Sequence, residues 1–354
     1  MVKKRIFQLD FLRFIAITPV FFLHFFASLK RNNFEFGLDW IYEHIIKYGG
    51  WGVELFFVLS GFLMTSKMLL NIKKEFIFKS LKQYLKSRFY RIYPLFFITT
   101  SIIFLSGLIF RIFDISKDGS EFIKTIFLVQ QFFLNDFNII NPVTWSLEIE
   151  IQFYIFIGVL MFLFNYFQID KRKSILIGCF ILSIIITLIS RENFLIRHLF
   201  FYIDFFFLGV LLKLFYNEKK AFFEKSSFLY DILFISVFPL VYLVKSSFQY
   251  NHLLILIIYF ILFISVFKLK YFDFIIKNYF LQLLGKISFS FYLLHYVIIE
   301  FYFMFIVKYF TIPIIINCIL LFIIISLISY VFYKYIEINK FFKPKPTGNI
   351  CIKL

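Results

Sequence analysis

Cysteine is scarce in this sequence, and the motifs of several large enzyme classes are missing from it. The 354 residues contain three cysteines, whose positions lack the spacing of a zinc site or a disulfide framework. The sequence has no Ser-His-Asp triad order, no Walker lysine loop, no H-E-x-x-H motif and no H-x-x-x-x-D motif. A metal cofactor and the chemistry of these enzyme classes are therefore not expected.

Acidic residues are also few, whereas apolar residues are in large excess. Hydrophobic side chains make up 61% of the chain and aromatic side chains 24%, while soluble domains are about half apolar. Several apolar runs reach the roughly 20 residues that an α-helix needs to cross a bilayer. The sequence therefore predicts an all-α, polytopic membrane protein in contact with lipid, and it argues against a soluble multidomain protein.

The net charge of +17 results from 38 lysines and arginines against 21 acidic residues. On a soluble chain this balance would indicate a nucleic-acid partner. Here most of the cations fall in short connections between apolar runs, where such residues set the orientation of membrane helices. The distribution predicts that both termini are cytoplasmic, and no nucleic-acid partner is expected.

The apolar runs and the residues that interrupt them predict a single bundle of about ten transmembrane helices. The predicted spans are 9–29, 51–71, 92–113, 144–165, 174–190, 199–216, 228–245, 252–267, 281–306 and 313–335. Segment 121–136 is predicted to be re-entrant or interfacial, because one more crossing would place every later basic connection outside. No linker and no internal repeat divides the chain, so residues 1–340 are expected to form one transmembrane domain and residues 341–354 a short cytoplasmic tail.

The first span carries polar side chains that are expensive in hydrocarbon. Arg13 and His24 are eleven residues apart, which places them on one helical face about 16 Å apart, and Asp10 lies on the same stripe. A charge near the bilayer centre costs about 2.5–3.5 kcal/mol, so this face is predicted to line a cavity. The alternative is an interfacial Asp10–Arg13 ion pair together with a buried, hydrogen-bonded His24. The neutral titration range of histidine favours function for His24.

Two further stretches have both functional and structural interpretations. The second span begins with Glu54, which is either interfacial or functional, and it contains Ser60 and Gly61, which permit close helix contact. The basic segment 72–91 ends in Arg88-x-x-Arg91. An arginine pair at this spacing can hold phosphates, although positive-inside charge beside anionic lipid headgroups explains the segment equally simply.

The fourth span contains two carboxylates, Glu148 and Glu150, that lie 200° apart on a helix and so cannot share one role. At least one of them is predicted to face an interior cavity, where it either assists an imidazole or pairs with an arginine. Weaker candidates occur later in the chain. They are Asp204, His295, Glu300 and Glu337, and each of them alone has a structural explanation.

Six stretches taken together resemble the acyltransferase 3 family of membrane O-acyltransferases. They are LDFLRFIAITPVFFLHF, GVELFFVLSGFL, RFYRIYPL, TWSLEIEIQFY, LGKISFSFYLLH and YKYIE. They occur in the order of the family and extend over residues 9–337. The resemblance implies a ten-span bundle in the cytoplasmic membrane that moves an acyl group, usually acetyl, from acetyl-CoA or another acyl-CoA to a glycan or lipid-linked sugar.

The same resemblance implies roles for particular residues. His24 and Arg13 correspond to the first-span pair of the family, Arg88 and Arg91 to its R-x-x-R pair, and Glu150 to the carboxylate of W-S-L-x-x-E. Glu148 stands where the family often has a small residue, so its role is open. Some relatives carry a C-terminal esterase-like domain, which this sequence lacks, so we expect it to act alone, as a homo-oligomer or with glycan-assembly partners.

The mechanism that we expect is direct transfer. His24 would act as general base on the acceptor hydroxyl, and Glu150 would orient the imidazole. Arg13 would stabilise charge at the reacting carbonyl, and Arg88 and Arg91 would bind phosphates of CoA. An acyl-histidine relay would use the same residues. The rival hypotheses are a transporter or flippase, whose path these side chains would line, and a non-catalytic partner in glycan export.

Overall fold

A computed structural model describes residues 6–32, 34, 37, 39–130, 140–193, 199–247, 251–306 and 313–339. The regular structure in these ranges is helical, and they contain no β-strand. The longer helices are α1 (Phe7–Arg31), α3 (Trp51–Met68), α4 (Ile77–Ile109), α5 (Ile115–Phe127), α6 (Trp145–Tyr166), α7 (Arg172–Asn193), α8 (Ile203–Glu218), α10 (Phe228–Ser246), α11 (His252–Lys268), α13 (Tyr279–Phe305) and α14 (Ile314–Phe332). The short helices are α2 (Asp39–His44), α9 (Lys220–Glu224) and α12 (Asp273–Lys277).

Each of the ten predicted spans coincides with a long helix. Eight helices in the described ranges are long and apolar enough to cross a membrane, which confirms an all-α, multi-pass membrane protein. The predicted sixth and eighth spans correspond to α8 and α11, which have only 16 and 17 residues. The number of crossings and the cytoplasmic position of both termini therefore stay predictions.

The basic segment before the third span is not an irregular connection. Helix α4 begins at Ile77 and runs for 33 residues without a break, so Arg88 and Arg91 lie on the same helix as the apolar run after them. Lysine, arginine, glutamine and leucine are all good helix formers, and they dominate this segment. A hydropathy pattern locates the apolar part of such a helix and misses its polar beginning.

Helix α5 covers the first part of the segment that was predicted not to span. It has 13 residues, too few to cross a bilayer, and its N-cap Asp114 accepts a hydrogen bond from the Ser116 backbone at 2.8 Å. Hydrogen bonds from the side chain and backbone of Ser116 also lower the pKa of Asp114. The described half of the segment fits an interfacial helix, and positions 131–139 lie outside the described residues.

The chain forms two compact units. Unit A comprises Met1–Leu59 and Leu212–Leu327, and unit B comprises Ser60–Leu211 and Ile328–Leu354. In unit A, α1 packs along α13 with its backbone in close approach. A Cβ atom at Gly285 would come within 1.8 Å of the Asp10 carbonyl oxygen, so only glycine permits this contact. The close fit fixes the register in which polar groups of α1 and α13 face one another.

Unit B is organised by a second close approach. A Cβ atom at Gly61 would lie 1.9 Å from the Phe206 carbonyl oxygen, so the close helix contact that glycine permits is present at this position. Phe206 in turn stacks on Phe153 of α6 with ring centroids 4.0 Å apart. Helix α4 packs against α6, where the Tyr84 hydroxyl donates to the Tyr154 carbonyl at 3.1 Å.

Candidate active site

The His24 ring faces protein, as the polar-stripe argument requires. Its centroid lies 5.1 Å from the centroid of His295 and 5.2 Å from that of Tyr296, both on α13. The side chain is half-buried. The ring thus contacts two polar aromatic side chains, and a catalytic role of this titratable group stays a prediction.

His295 is fully buried, and among the described residues only one of its ring nitrogens has a hydrogen-bond partner. The Nδ1 atom lies 2.7 Å from the Tyr292 carbonyl oxygen. Within the described part of the chain, Nε2 is enclosed and has no hydrogen-bond partner. His295 was a weaker candidate in the sequence, and the structure brings it into contact with His24.

A charged cluster lies at the C-terminal end of α1, close to the two histidines. Arg31 forms an ion pair with Glu300 and donates to the Tyr296 hydroxyl at 3.0 Å. Arg31 and His24 also interact electrostatically. The predicted first span ends at residue 29, which leaves Arg31 outside it, and Glu300 was a weaker candidate. Neither was singled out because their pairing depends on how α1 and α13 align.

Arg13, the other polar residue of the predicted stripe, forms the i,i+3 ion pair that the structural alternative describes. Its Nη1 atom lies 2.9 Å from Asp10 Oδ1, and the Asp10 side chain is only 3% exposed. The ion pair offsets part of the cost of placing the half-buried guanidinium among apolar helices. A role of Arg13 at the reacting carbonyl stays a prediction.

In unit B, the Glu150 carboxylate is held by two hydroxyl groups. Ser60 and Tyr154 both donate a hydrogen bond to its Oε1 atom. Tyr154 is one helical turn after Glu150 on α6, and the sequence argument missed it although the i,i+4 spacing was visible. The predicted contact between Glu150 and His24 stays a prediction.

Arg88 and Arg91 belong to the same cluster in unit B. The Arg88 guanidinium lies 5.7 Å from the centroid of the Tyr154 ring, and its Nη1 atom is buried without a hydrogen-bond partner among the described residues. Arg91 is exposed and interacts electrostatically with Tyr154, Glu150 and Glu337. The structure thus brings together four of the predicted residues, which are Ser60, Arg88, Arg91 and Glu150.

Such a cluster could hold a phosphate-bearing cofactor. A buried guanidinium N–H without an acceptor can bind a phosphate oxygen, and the accessible Arg91 adds a second cation one turn further along. Among the residues that the structure describes, no three histidine, cysteine, aspartate or glutamate side chains are grouped as metal ligands.

Two other candidates have different surroundings. The Glu54 carboxylate in unit A accepts from Lys245 at 2.8 Å and from the Tyr259 hydroxyl at 2.6 Å, a saturated arrangement that supports a structural role. Glu148 is 2% exposed and packs within α6 on a different side from Glu150. Its role, which departs from the family pattern, stays open.

The fold and these polar clusters define a multi-pass, all-α membrane protein with buried ionisable side chains. Comparison with known proteins makes the classification specific. The sequence profile of the acyltransferase 3 family, described as "Acyltransferase domain", matches residues 6–333. The chain therefore belongs to this family, as the six sequence stretches predicted.

Individual relatives match over shorter regions. The Peptidoglycan O-acetyltransferase OatA of Listeria monocytogenes is 26% identical over 163 residues, which is 43% of this chain and 24% of OatA. A Staphylococcus aureus protein whose name includes the term O-acetyltransferase is 30% identical over 158 residues, 38% of this chain and 26% of that protein.

A Haemophilus influenzae protein whose name states no function is 30% identical over 148 residues, 39% of this chain and 59% of that protein. The matched regions thus span between about a quarter and three fifths of the length of these three relatives. No solved structure matches the chain.

Proposed function

We propose that this protein is a membrane O-acyltransferase that transfers an acetyl group from acetyl-CoA to a hydroxyl of a cell-surface or lipid-linked glycan. The family membership and the names of two relatives support transfer to oxygen. The single observation that carries the proposal is the orientation of His24, whose ring contacts His295 and Tyr296 inside unit A.

The proposed step is a direct acyl transfer. His24 accepts the proton of the acceptor hydroxyl while its oxygen attacks the thioester carbonyl carbon and forms a C–O bond. The C–S bond then breaks, and the departing thiolate of CoA takes the proton from the imidazolium. The products are an acetyl ester and free CoA, so protons and electron pairs balance without a metal or redox partner.

The arginines of unit B are proposed to bind the donor. Arg88 has an enclosed N–H that no described residue accepts, and Arg91 is accessible, which suits contact with the phosphates of CoA. Glu150, with Ser60 and Tyr154 on one oxygen, supplies a fixed negative charge beside Arg91. We propose that this charge weakens phosphate binding by the two arginines, so that CoA can dissociate after the transfer.

The proposed orientation follows from charge. Both termini would lie on the cytoplasmic side of the cytoplasmic membrane, so that the basic N-terminal part of α4 meets soluble CoA. The single transmembrane domain over residues 1–340 would present the other side to the glycan.

The test is CoA release by the purified full-length protein in lipid nanodiscs, with acetyl-CoA as donor and a thiol reagent as detector. With a membrane glycan extract as acceptor, we expect the wild-type protein to release CoA and to form acetyl esters, because the thiolate leaves only when a hydroxyl attacks. A transporter or flippase would neither consume acetyl-CoA nor form the ester. Absence of both signals would therefore contradict the proposed function.

A further inference from the structure

His295 has a buried ring nitrogen, Nε2, that has no role in the direct transfer step. The side chain has 0% exposure, and its Nε2 atom is enclosed without a hydrogen-bond partner among the described residues. Leaving a buried polar atom unsatisfied costs about as much as a hydrogen bond, so such atoms in native proteins need a reason. Here the neighbouring polar ring is that of His24.

The bond at Nδ1 determines what Nε2 can do. A carbonyl oxygen only accepts, so the 2.7 Å contact with the Tyr292 carbonyl requires a proton on Nδ1 of His295. In the neutral ring the lone pair is then on Nε2. Histidine tautomers are commonly fixed in this way by a hydrogen bond on the other nitrogen.

The two rings are close enough for a direct hydrogen bond. Their centroids are 5.1 Å apart and their planes are inclined by 55°. Ring nitrogens lie on the perimeter, so a rotation of the His24 ring can bring one of them within the usual reach of about 2.7–3.2 Å of Nε2. This torsion is broad in histidine, which makes such a rotation inexpensive.

We propose that His295 is a positioning residue for the acyl transfer: its Nε2 accepts the N–H of His24 and thereby leaves the other His24 nitrogen as the base. This inference rests on the proposed function. The proton stays on His24 throughout, and only the acceptor proton moves, first to the free nitrogen of His24 and then to the thiolate. The arrangement gives His24 an orienting partner within its own unit, whatever the role of Glu150.

Other groups near the pair do not take this role in the described structure. Arg31 carries only donors and is already engaged by Tyr296 and Glu300. Tyr296 contacts the His24 ring edge-on, with the ring planes at 88°. His295 is the neighbour of His24 that combines burial with an unused acceptor atom.

Two substitutions separate positioning from packing. His295→Gln keeps an acceptor near the position of Nε2, whereas His295→Asn keeps the donor to the Tyr292 carbonyl and loses that acceptor. The assay is CoA release from acetyl-CoA by the purified full-length protein in the presence of the membrane glycan extract, with kcat and KM determined separately and Tm measured for each variant. His252→Phe, which alters another buried histidine of unit A, is the matched control.

We expect kcat of His295→Asn to fall by about 10- to 100-fold with an unchanged KM, as for the loss of other orienting hydrogen bonds. His295→Gln should recover a large part of kcat, and His252→Phe should resemble the wild type. A packing role predicts the reverse order, because Asn preserves the helix-directed bond. Equal kcat for Asn and Gln, or a higher kcat for Asn, would overturn the inference and leave the proposed function standing. Absence of CoA release by the wild-type protein would overturn both.

Discussion

Glu54 and His295 are both buried polar side chains in unit A, but their hydrogen bonding is opposite. Each carboxylate oxygen of Glu54 has a partner, one in Lys245 and the other in Tyr259. His295 satisfies one nitrogen on its own helix and leaves the other without a partner in the described structure. The comparison teaches that the saturated Glu54 carboxylate stabilises the helix packing, whereas Nε2 of His295, whose ring contacts the neighbouring ring of His24, can still take a hydrogen-bond partner.

The same contrast separates two arginines in unit B. Arg172, at the start of α7, donates to the Leu70 carbonyl at 2.6 Å and to the Phe164 carbonyl near the end of α6 at 3.1 Å. These hydrogen bonds hold the three segments together. Arg88 has an enclosed Nη1 without such an acceptor in the described ranges. A guanidinium that caps carbonyl groups holds the fold, and one with a spare donor can bind an anion.

The largest effect on stability is expected at Glu54. Glu54→Gln removes the charge partner of Lys245 in a pair whose side chains are only 11% and 12% exposed. Leaving one charge of a buried pair uncompensated costs about 3 kcal/mol of unfolding free energy. The measurement is thermal unfolding in nanodiscs, combined with activity per folded molecule.

The double substitution Glu54→Gln with Lys245→Met should recover part of this stability, since it removes both charges. Loss of activity in fully folded Glu54→Gln protein would contradict the assignment, because a buried group with all its hydrogen-bond partners would then have a role beyond stability.

Glu150→Gln is expected to lower the rate of acetyl transfer by about 10- to 100-fold. The substitution removes the negative charge beside Arg91 while an amide oxygen can still accept from Ser60 and Tyr154. Stability should change little, and the assay is CoA release at saturating acetyl-CoA. A fall in Tm without a change in rate would place Glu150 with Glu54 among the structural groups.

Arg88→Ala should raise the KM for acetyl-CoA by about tenfold with little change in kcat, because one charge-assisted hydrogen bond contributes about 1.5–3 kcal/mol. The control is Lys82→Ala, which removes an exposed cation from the same helix. Equal effects of the two substitutions would mean that α4 attracts acyl-CoA by general charge alone.

The smallest effect is expected for Tyr154→Phe, which removes one of the two hydroxyl donors to Glu150. The rate should fall severalfold, since Ser60 still holds the same oxygen, and Ser60→Ala with Tyr154→Phe should lower it further. If the losses of activation free energy in the two single substitutions add up to the loss in the double substitution, the two hydroxyls do not act on one carboxylate.

Much of the fold could be predicted from hydropathy, and the reasons for the misses are physical. All ten predicted spans are helices, but hydropathy did not reveal that α4 begins as early as Ile77, because its polar first half lacks an apolar signal. The crossing count stays open because α8 and α11 are short. Hydropathy locates apolar runs and is weak where a helix is amphipathic or brief.

The candidate site could be predicted in part. Ser60, Arg88, Arg91 and Glu150 were identified as separate motifs, and the structure groups them in unit B. Tyr154 was missed because the sequence contains 22 tyrosines, and nothing distinguishes this one until its contact with Glu150 is known. His295 was ranked low because its contact with His24 depends on the register between two helices that are about 270 residues apart in the sequence, and no local pattern encodes that register.

The central claim is that His24 is the base of an acetyl transfer to a glycan. The direct measurement is mass spectrometry of ester-linked acetate on surface glycans from cells that express the wild type, His24→Ala or His252→Ala at equal membrane levels. The account predicts acetate loss of about 100-fold or more for His24→Ala and none for His252→Ala. Undiminished glycan acetylation in the His24→Ala cells would contradict it.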